Sequence, residues 1–333
     1  MTKRERVQRT LAHKVVDKTP YLIELCKETM EAFTAKYGIT KEDFVDFAGC
    51  HLEKMNYNGG ELIAPNRFRD DFGIVWNRSA GDDIGIIEEY FLSEPDVSKF
   101  NFPTVDAGQI RTVTEKFLNN GRDTFKLAKI GYLLFERAWS LRSMPNLLMD
   151  FYDNEDFVHE LFSRITDYNL AIIHEVMKYP VDGFYLGDDY GQQSGLLMGP
   201  RLWRKFIKPE LARTFAPIKE KGLPVFLHSC GDIYTILGDL IEIGLDCYQT
   251  VQPEIYDLKR LKIEFGSHLT FFGAISTQQF LPNAAPAEVG PKIRETIDIL
   301  GGSGGYICAP THHVPRDVTP EVVMAMIDEL RGK

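Results

Sequence analysis

A nitrogen donor and a sulfur donor, His228 and Cys230, stand two positions apart in Leu227-His228-Ser229-Cys230-Gly231-Asp232, directly after the apolar run Pro224-Val225-Phe226-Leu227. Alternate residues of an extended chain project to the same side, so an imidazole and a thiol at this spacing reach one point together. They supply half of a zinc site. A third soft donor completes the protein's share of a catalytic zinc and leaves the fourth position to substrate. Cys308, far downstream in Tyr306-Ile307-Cys308, is the candidate. Thiolates with imidazole select zinc among the common divalent ions, and such an ion lowers the pKa of a bound thiol or polarises a substrate oxygen.

Carboxylates follow a second apolar run, in Gly187-Asp188-Asp189-Tyr190-Gly191-Gln192-Gln193-Ser194-Gly195. Asp188 and Asp189 are candidates to orient substrate, accept a proton or steady a ligating imidazole; capping of the next turn is the competing use for either one. Glu136, in Phe135-Glu136-Arg137-Ala138, is a candidate fourth ligand or proton donor, with an ion pair to Arg137 or Arg142 as the equal alternative. His312 and His313 follow Cys308 closely, and one of them is expected to reach the site while the other is solvated. Glu136, Asp188, Asp189 and His313 are thus the expected catalytic groups. Tyr190, Gln193, Phe272 and His312 are the expected substrate contacts. Cys26, Cys50 and Cys247 read as small core residues, and an odd, scattered set of five cysteines is no disulfide framework.

The elements that position these residues alternate. Helices at about 108–120, 156–178, 200–220, 233–243, 256–265 and 286–300 each precede a short apolar run, and a last helix covers about 319–331. Phe157, Leu161, Ile165 and Tyr168 lie on one face of the second of these. Short strands alternating with helices are the mark of parallel βα units. With strands near 20–25 and 50–57 the chain has the eight of a (β/α)8 TIM barrel, whose chemistry collects at the C-terminal strand ends, where all the candidates fall. Residues 26–48 read as helices punctuated by Gly38, and residues 51–90, with turn signals at Asn58-Gly59-Gly60, Asp71-Phe72-Gly73 and Gly81-Asp82-Asp83, as an insertion containing a hairpin. One α/β barrel domain over residues 1–333, with an N-terminal helical segment, is the expected organisation.

Composition narrows the function classes. Thirty-eight basic against 48 acidic side chains, net −10, argue against a general nucleic-acid binder. No apolar run approaches a membrane span and no secretory signal opens the chain, so the expected location is the cytoplasm. No Gly-rich dinucleotide turn follows a strand.

Taken in order, Gly131-Tyr132-Leu133, Glu136-Arg137-Ala138, Leu141-Arg142-Ser143-Met144-Pro145-Asn146-Leu147-Leu148, Gly187-Asp188-Asp189, Leu227 to Asp232, Phe272-Gly273-Ala274-Ile275 and Val314-Pro315 to Pro320-Glu321 resemble the uroporphyrinogen decarboxylase superfamily over nearly the whole chain. The resemblance implies the same (β/α)8 barrel. Decarboxylases of that group carry an Arg-Gln-Ala-Gly-Arg motif near the first strand and need no metal. Here the corresponding stretch is Tyr21-Leu22-Ile23-Glu24-Leu25-Cys26-Lys27-Glu28, acidic instead. The other branch comprises zinc methyltransferases working with corrinoid (cobalamin) proteins, and its hallmark resembles His-x-Cys with a distant Cys, which carries the zinc-ligand role to His228, Cys230 and Cys308. The expected function is therefore methyl transfer between a small substrate and a corrinoid partner. An aryl methyl ether is favoured, for the aromatics Phe135, Trp139, Tyr190, Phe271 and Phe272 near the mouth and for the lack of a Lys or Arg pair to hold a sulfonate. A thiol of the coenzyme M type is the alternative, a decarboxylase a further one, and a metal-storage or corrinoid-binding barrel the non-enzymatic one.

Overall fold

The computed structural model describes residues 1–57, 59–79 and 85–332. The N-terminal part is helical, with α1 (Lys3–Leu11), α2 (Lys27–Tyr37) and α3 (Lys41–Ala48). Gly38 ends α2 at φ 72°, the left-handed conformation open to glycine. The first regular barrel strand is β1 (Leu52–Asn56). Instead of a lone hairpin, the insertion is an antiparallel meander of β2 (Gly60–Ala64), β3 (Arg67–Asp70), β4 (Val75–Asn77) and β5 (Ile86–Ile87). Asn58 and Gly81-Asp82-Asp83 lie outside the described residues.

After α4 (Ala107–Leu118) and β6 (Phe125–Ile130) come α5 (Phe135–Arg142), α6 (Met144–Asp153) and α7 (Glu155–Val176). The strand rhythm does not resolve α5 from α6; Ser143, at φ 75°, breaks them and caps α6 ahead of Pro145. In α7 the expected stripe of Phe157, Leu161, Ile165 and Tyr168 is buried. Then follow β7 (Gly183–Gly187), the two-residue pair β8 (Gly191–Gln192) and β9 (Gly195–Leu196), α8 (Gly199–Leu202) and α9 (Lys208–Glu220). The expected single helix at 200–220 widens to a π-turn over Trp203–Ile207, just ahead of Pro209, which has no N–H to continue the ladder. The remainder is β10 (Val225–His228), α10 (Leu237–Glu242), β11 (Cys247–Val251), α11 (Leu258–Phe265), β12 (Thr270–Ile275), α12 (Pro286–Leu300), β13 (Tyr306–Pro310) and α13 (Pro320–Arg331).

The seven long parallel strands pair in the order β1-β6-β7-β10-β11-β12-β13. Residues 20–26 close the ring between β13 and β1. Pro20 carries no N–H, and the segment makes bridges where a regular strand is expected: Tyr21 with Cys308 and Leu25 with Val314. Cys308 donates its N–H to Pro20 O (2.9 Å), Leu22 donates to Cys308 O (3.1 Å), and His51 donates to Tyr21 O (2.9 Å). The result is the expected (β/α)8 barrel with seven ladder strands and one bridged segment. Among the described residues no helix is long and apolar enough to cross a membrane.

One carboxylate ties the meander to the barrel. Asp70, at the end of β3, accepts N–H from Phe72 and Ile74 and from the Trp76 indole, each at 3.0 Å, and pairs with the Arg137 guanidinium of α5 at 2.5 Å. Both partners are almost fully buried. Asp70→Ala leaves four donors unmet, one of them charged, and is expected to cost about 3–5 kcal/mol; a denaturant midpoint close to wild type would remove Asp70 from this role. A second expectation concerns acid. Burial, with Arg6 and Lys3 nearby, pushes His51 down to about 3. The unfolded chain takes up a proton near pH 6.5 that the folded chain refuses, so this group removes stability as pH falls from 6.5 towards about 3. Melting curves across that window are expected to fall less steeply for His51→Gln than for wild type.

Candidate metal centre in the barrel mouth

The strand ends of β7 and β10 lie side by side, with Gly187 opposite His228 in the register. The loops that follow are pressed together. Gly231 adopts φ 80°, and a Cβ there would stand 2.2 Å from the Gly191 carbonyl carbon; a Cβ on Gly191 would meet Cys230 O at 2.8 Å. Asp232 donates its N–H to Gln192 O (2.8 Å) and Cys230 donates to the Asp189 carboxylate (2.8 Å). This packing sets Asp189, His228 and Cys230 around one point, their donor atoms all within 4.8 Å of one another.

The spacing suits a metal ion. Donors at zinc–sulfur and zinc–nitrogen bond lengths, held at the tetrahedral angle, lie about 3.6 Å apart, and a nitrogen–oxygen pair about 3.4 Å. Here His228 Nε2 is 3.5 Å from Cys230 Sγ and 3.5 Å from Asp189 Oδ1. The other ring nitrogen is committed elsewhere. His228 Nδ1 contacts Gln249 Oε1, which also accepts the Tyr185 hydroxyl (2.7 Å), while the Gln249 amide nitrogen donates to Thr311 O (3.2 Å). That last bond fixes which end of the amide is oxygen. Nδ1 must then carry the proton, and Nε2 presents its lone pair to the donor set. Burial keeps the imidazole neutral, its pKa below the ordinary value.

Asp188 does different work from its neighbour. It is fully buried and accepts the N–H of Phe135 and of Glu136, both at 2.8 Å, so from the end of β7 it caps α5, the helix that follows the neighbouring strand β6. Burial pushes it up to about 6. The cap aims Glu136 into the cavity, free of the expected pairs: Arg137 is taken by Asp70 and Arg142 by Asp150 (2.7 Å). Burial beside Asp189 and Asp188 raises Glu136 well above the usual carboxylate range.

The cavity at the C-terminal end of the strands has a volume of about 740 Å³. Of the expected residues, Glu136, Asp189, His228, Phe272, His312 and His313 line it. Both histidines line it, His312 solvent-exposed at the rim, as expected of one of the pair, and His313 partly buried. Burial brings His313 down to about 4.

Three expectations fail geometrically. Cys308 is fully buried and not among the cavity-lining residues, though its neighbours Ala309 and Pro310 are. In the register Ile307 lies opposite the inward Phe272, so Cys308 is out of phase with the cavity and sits on the side of Tyr306. Burial pushes its thiol up to about 12. Asp189 stands where the third donor was expected. Gln193 is at the exposed turn between β8 and β9, and Tyr190 is buried against Trp203, neither lining the cavity. Of the five aromatics expected at the mouth, Phe272 alone faces the cavity; Tyr132 and Tyr185 are its other rings.

The alternation also brings in groups that strand signals alone did not single out: Glu24, Lys54, Lys129 and Gln249. The expected absence of a lysine pair is corrected, since Lys54 of β1 and Lys129 of β6 both line the cavity. A lysine inside an apolar strand is itself a readable sign, because an ammonium there has only the barrel mouth or its base to go to.

Against known proteins, the family model described as uroporphyrinogen decarboxylase (URO-D) matches residues 136–332. The chain belongs to this family. A methylated-thiol–coenzyme M methyltransferase from Methanosarcina mazei is 25% identical over 151 residues, which is 44% of this chain and 39% of that relative, so the match spans about two-fifths of the relative's length. Among solved structures, a methyltransferase from Methanosarcina mazei superposes with a TM-score of 0.76 at 16% identity, covering 100% of this chain and 99% of that one. A B12-independent methionine synthase from Shewanella sp. W3-18-1 gives 0.50 at 10% identity over 94% of each chain. These two likenesses show the fold.

The imidazole support is open to test. Gln249→Ala removes the acceptor that sets the His228 tautomer and is expected to weaken zinc binding about 10–100-fold with the fold intact. Competition against a chromogenic chelator reads this, and unchanged affinity would sever Gln249 from the site.

Proposed function

We propose that this protein is a zinc-dependent methyltransferase that moves a methyl group between a small substrate in the barrel cavity and the cobalt of a corrinoid carried by a partner protein. The observation that carries the reading is the Asp189–His228–Cys230 donor set, spaced as a tetrahedral ion requires and opening on a cavity of about 740 Å³. These three residues would hold the metal, and His312, whose ring centroid is 6.0 Å from that of His228, is the next imidazole towards it. When bound, a zinc ion there supplies Lewis acidity that makes an ether oxygen a better leaving group or a thiol a better nucleophile.

An aryl methyl ether is the favoured substrate. Tyr132, Tyr185 and Phe272 give the cavity aromatic walls, and its size exceeds the needs of a short thiol. The chain's own contribution to demethylation centres on Glu136. The ether C–O bond breaks as the methyl carbon passes to the partner's reduced corrinoid, which would supply the electron pair for the new bond; the old bonding pair stays on oxygen, and the carboxylic proton of Glu136 moves onto that oxygen to give a phenol. Tyr185 and Gln249 keep His228 oriented throughout. Methylation of a thiol of the coenzyme M type is the second reading, supported by the similarity to the Methanosarcina relative.

Purified protein is expected to contain close to one equivalent of zinc. With a reduced corrinoid and a panel of methoxylated aromatics it should generate the methyl–cobalt absorption. No signal with any ether, together with thiol methylation from methylcobalamin, would reverse the direction; zinc without turnover in either assay would leave only a storage role, and turnover indifferent to chelation would point to a decarboxylase. Cys230→Ser is expected to lose most of the zinc and Cys308→Ser to keep it. Glu136→Gln should keep the zinc and lose about 10²–10⁴ in rate, the usual weight of a general acid.

A further inference from the structure

The methyl chemistry leaves one wall of the cavity without a task. Lys54 and Lys129 enter it from neighbouring strands, Lys129 lying opposite Asn56 of β1 on one side and Tyr185 of β7 on the other. Their surroundings differ. Lys54 is matched by Glu24, with which it forms an ion pair, and its ammonium also stands 4.4 Å from the centre of the Tyr185 ring. Among the described residues no carboxylate lies within ion-pair distance of Lys129. The acids that act on it, Glu24 and Glu136, do so only through space, and Glu24 is already held by Lys54.

A mostly buried ammonium without a counter-ion is costly unless something else neutralises it. Here its burial against the cavity and the neighbouring charge of Lys54 already disfavour the charged form, so Lys129 lies below the ordinary lysine value. Arg78 lines the same cavity. His228 lies on β10, two strands round the wall from Lys129 on β6 and two residues further along in the register, a backbone separation of about 12 Å. The cavity is therefore polarised, with the Asp189–His228–Cys230 cluster on one wall and, among the described residues, an ammonium without an ion-pair partner on another.

We propose that Lys129 is the anchor for an anionic head group on the substrate, a carboxylate or sulfonate, and that it holds this group away from the metal donors so that the methyl-bearing atom lies towards His228, Cys230 and Asp189. This rests on the methyl-transfer reading of the same cavity. It makes the substrate an acid as well as a methyl carrier, and it accommodates both a methoxybenzoate and a methylated thiol sulfonate. Lys129 acts in selection of substrate, and Lys54 with Glu24 forms the neutral floor beside it.

Calorimetric titration of the protein as purified tests the anchor without turnover. The probes are meta-methoxybenzoate against its neutral isostere meta-methoxybenzamide, and methylthioethanesulfonate against methylthioethanol. At least one anion is expected to bind tenfold or more tightly than its neutral counterpart, and the pair that shows the difference tells an aryl carboxylate from an alkyl sulfonate. Lys129→Gln should abolish the preference while leaving the neutral compound's affinity and the zinc content unchanged, and Lys129→Arg should restore most of it. Equal binding of charged and neutral probes, no binding of either anion, or an undiminished preference in Lys129→Gln would overturn the anchor. A melting temperature for Lys129→Gln near wild type shows that the variant is folded. Failure of the methyl-transfer reading looks different: the anions still bind through Lys129, but no methyl–cobalt signal appears with any of them.

Discussion

The structure depends on the two-sidedness of a barrel strand. In each ladder strand one set of alternate residues faces the barrel interior and the other faces the helices, and of the strand residues only the inward set near the C-terminal end reaches the cavity. Glu24, Lys54, Lys129, Tyr185, His228, Gln249 and Phe272 all belong to that set and come from different elements, yet they share one cavity. Chemistry assembled this way has no local sequence motif. It is held together by the closure of the ring, which here relies on the hydrogen bonds that residues 20–26 make to β13 and to His51.

The same constraint explains what could be read from the chain and what could not. The βα rhythm and the barrel were legible because they rest on a repeated succession of elements, and the closeness of His228 and Cys230 because they are two residues apart at a strand end. Cys308 was not, because Tyr306–Pro310 is buried on both faces and its apolar sequence hides which residues point inward. A one-residue change of phase moves a thiol from the cavity to the helix side. The third donor came instead from the loop after β7, and its partnership with Cys230 depends on the contact of Gly191 with Gly231, a tertiary fact. The paired aspartates were visible, but their division of labour was not: identical side chains in sequence, one spent on a helix end and the other on a donor set.

Charge inside strands was the underused signal. Lys54 and Lys129 interrupt otherwise strand-like runs, and their inward placement puts two ammonium groups on the cavity wall. The aromatic side chains misled for the opposite reason. Phe135, Tyr190 and Phe271 are large and apolar enough to be needed in the core, and the core claimed them. Position near a strand end is thus a weak guide for an apolar residue and a stronger one for an ionic residue.

The β2–β5 meander gives the molecule a divided construction. Its neighbouring residues Arg78 and Gly85 reach the cavity, whereas the Asp189–His228–Cys230 cluster, Gln249 and Glu136 all stand on the barrel proper. A buried junction of Asp70 with Arg137 binds this roof to α5. Substitutions in the roof can therefore reshape the entrance and the ligands it admits while the reactive floor keeps its geometry. Entrance and floor thus meet at one buried ion pair, and each can change shape independently of the other for as long as that pair stays formed.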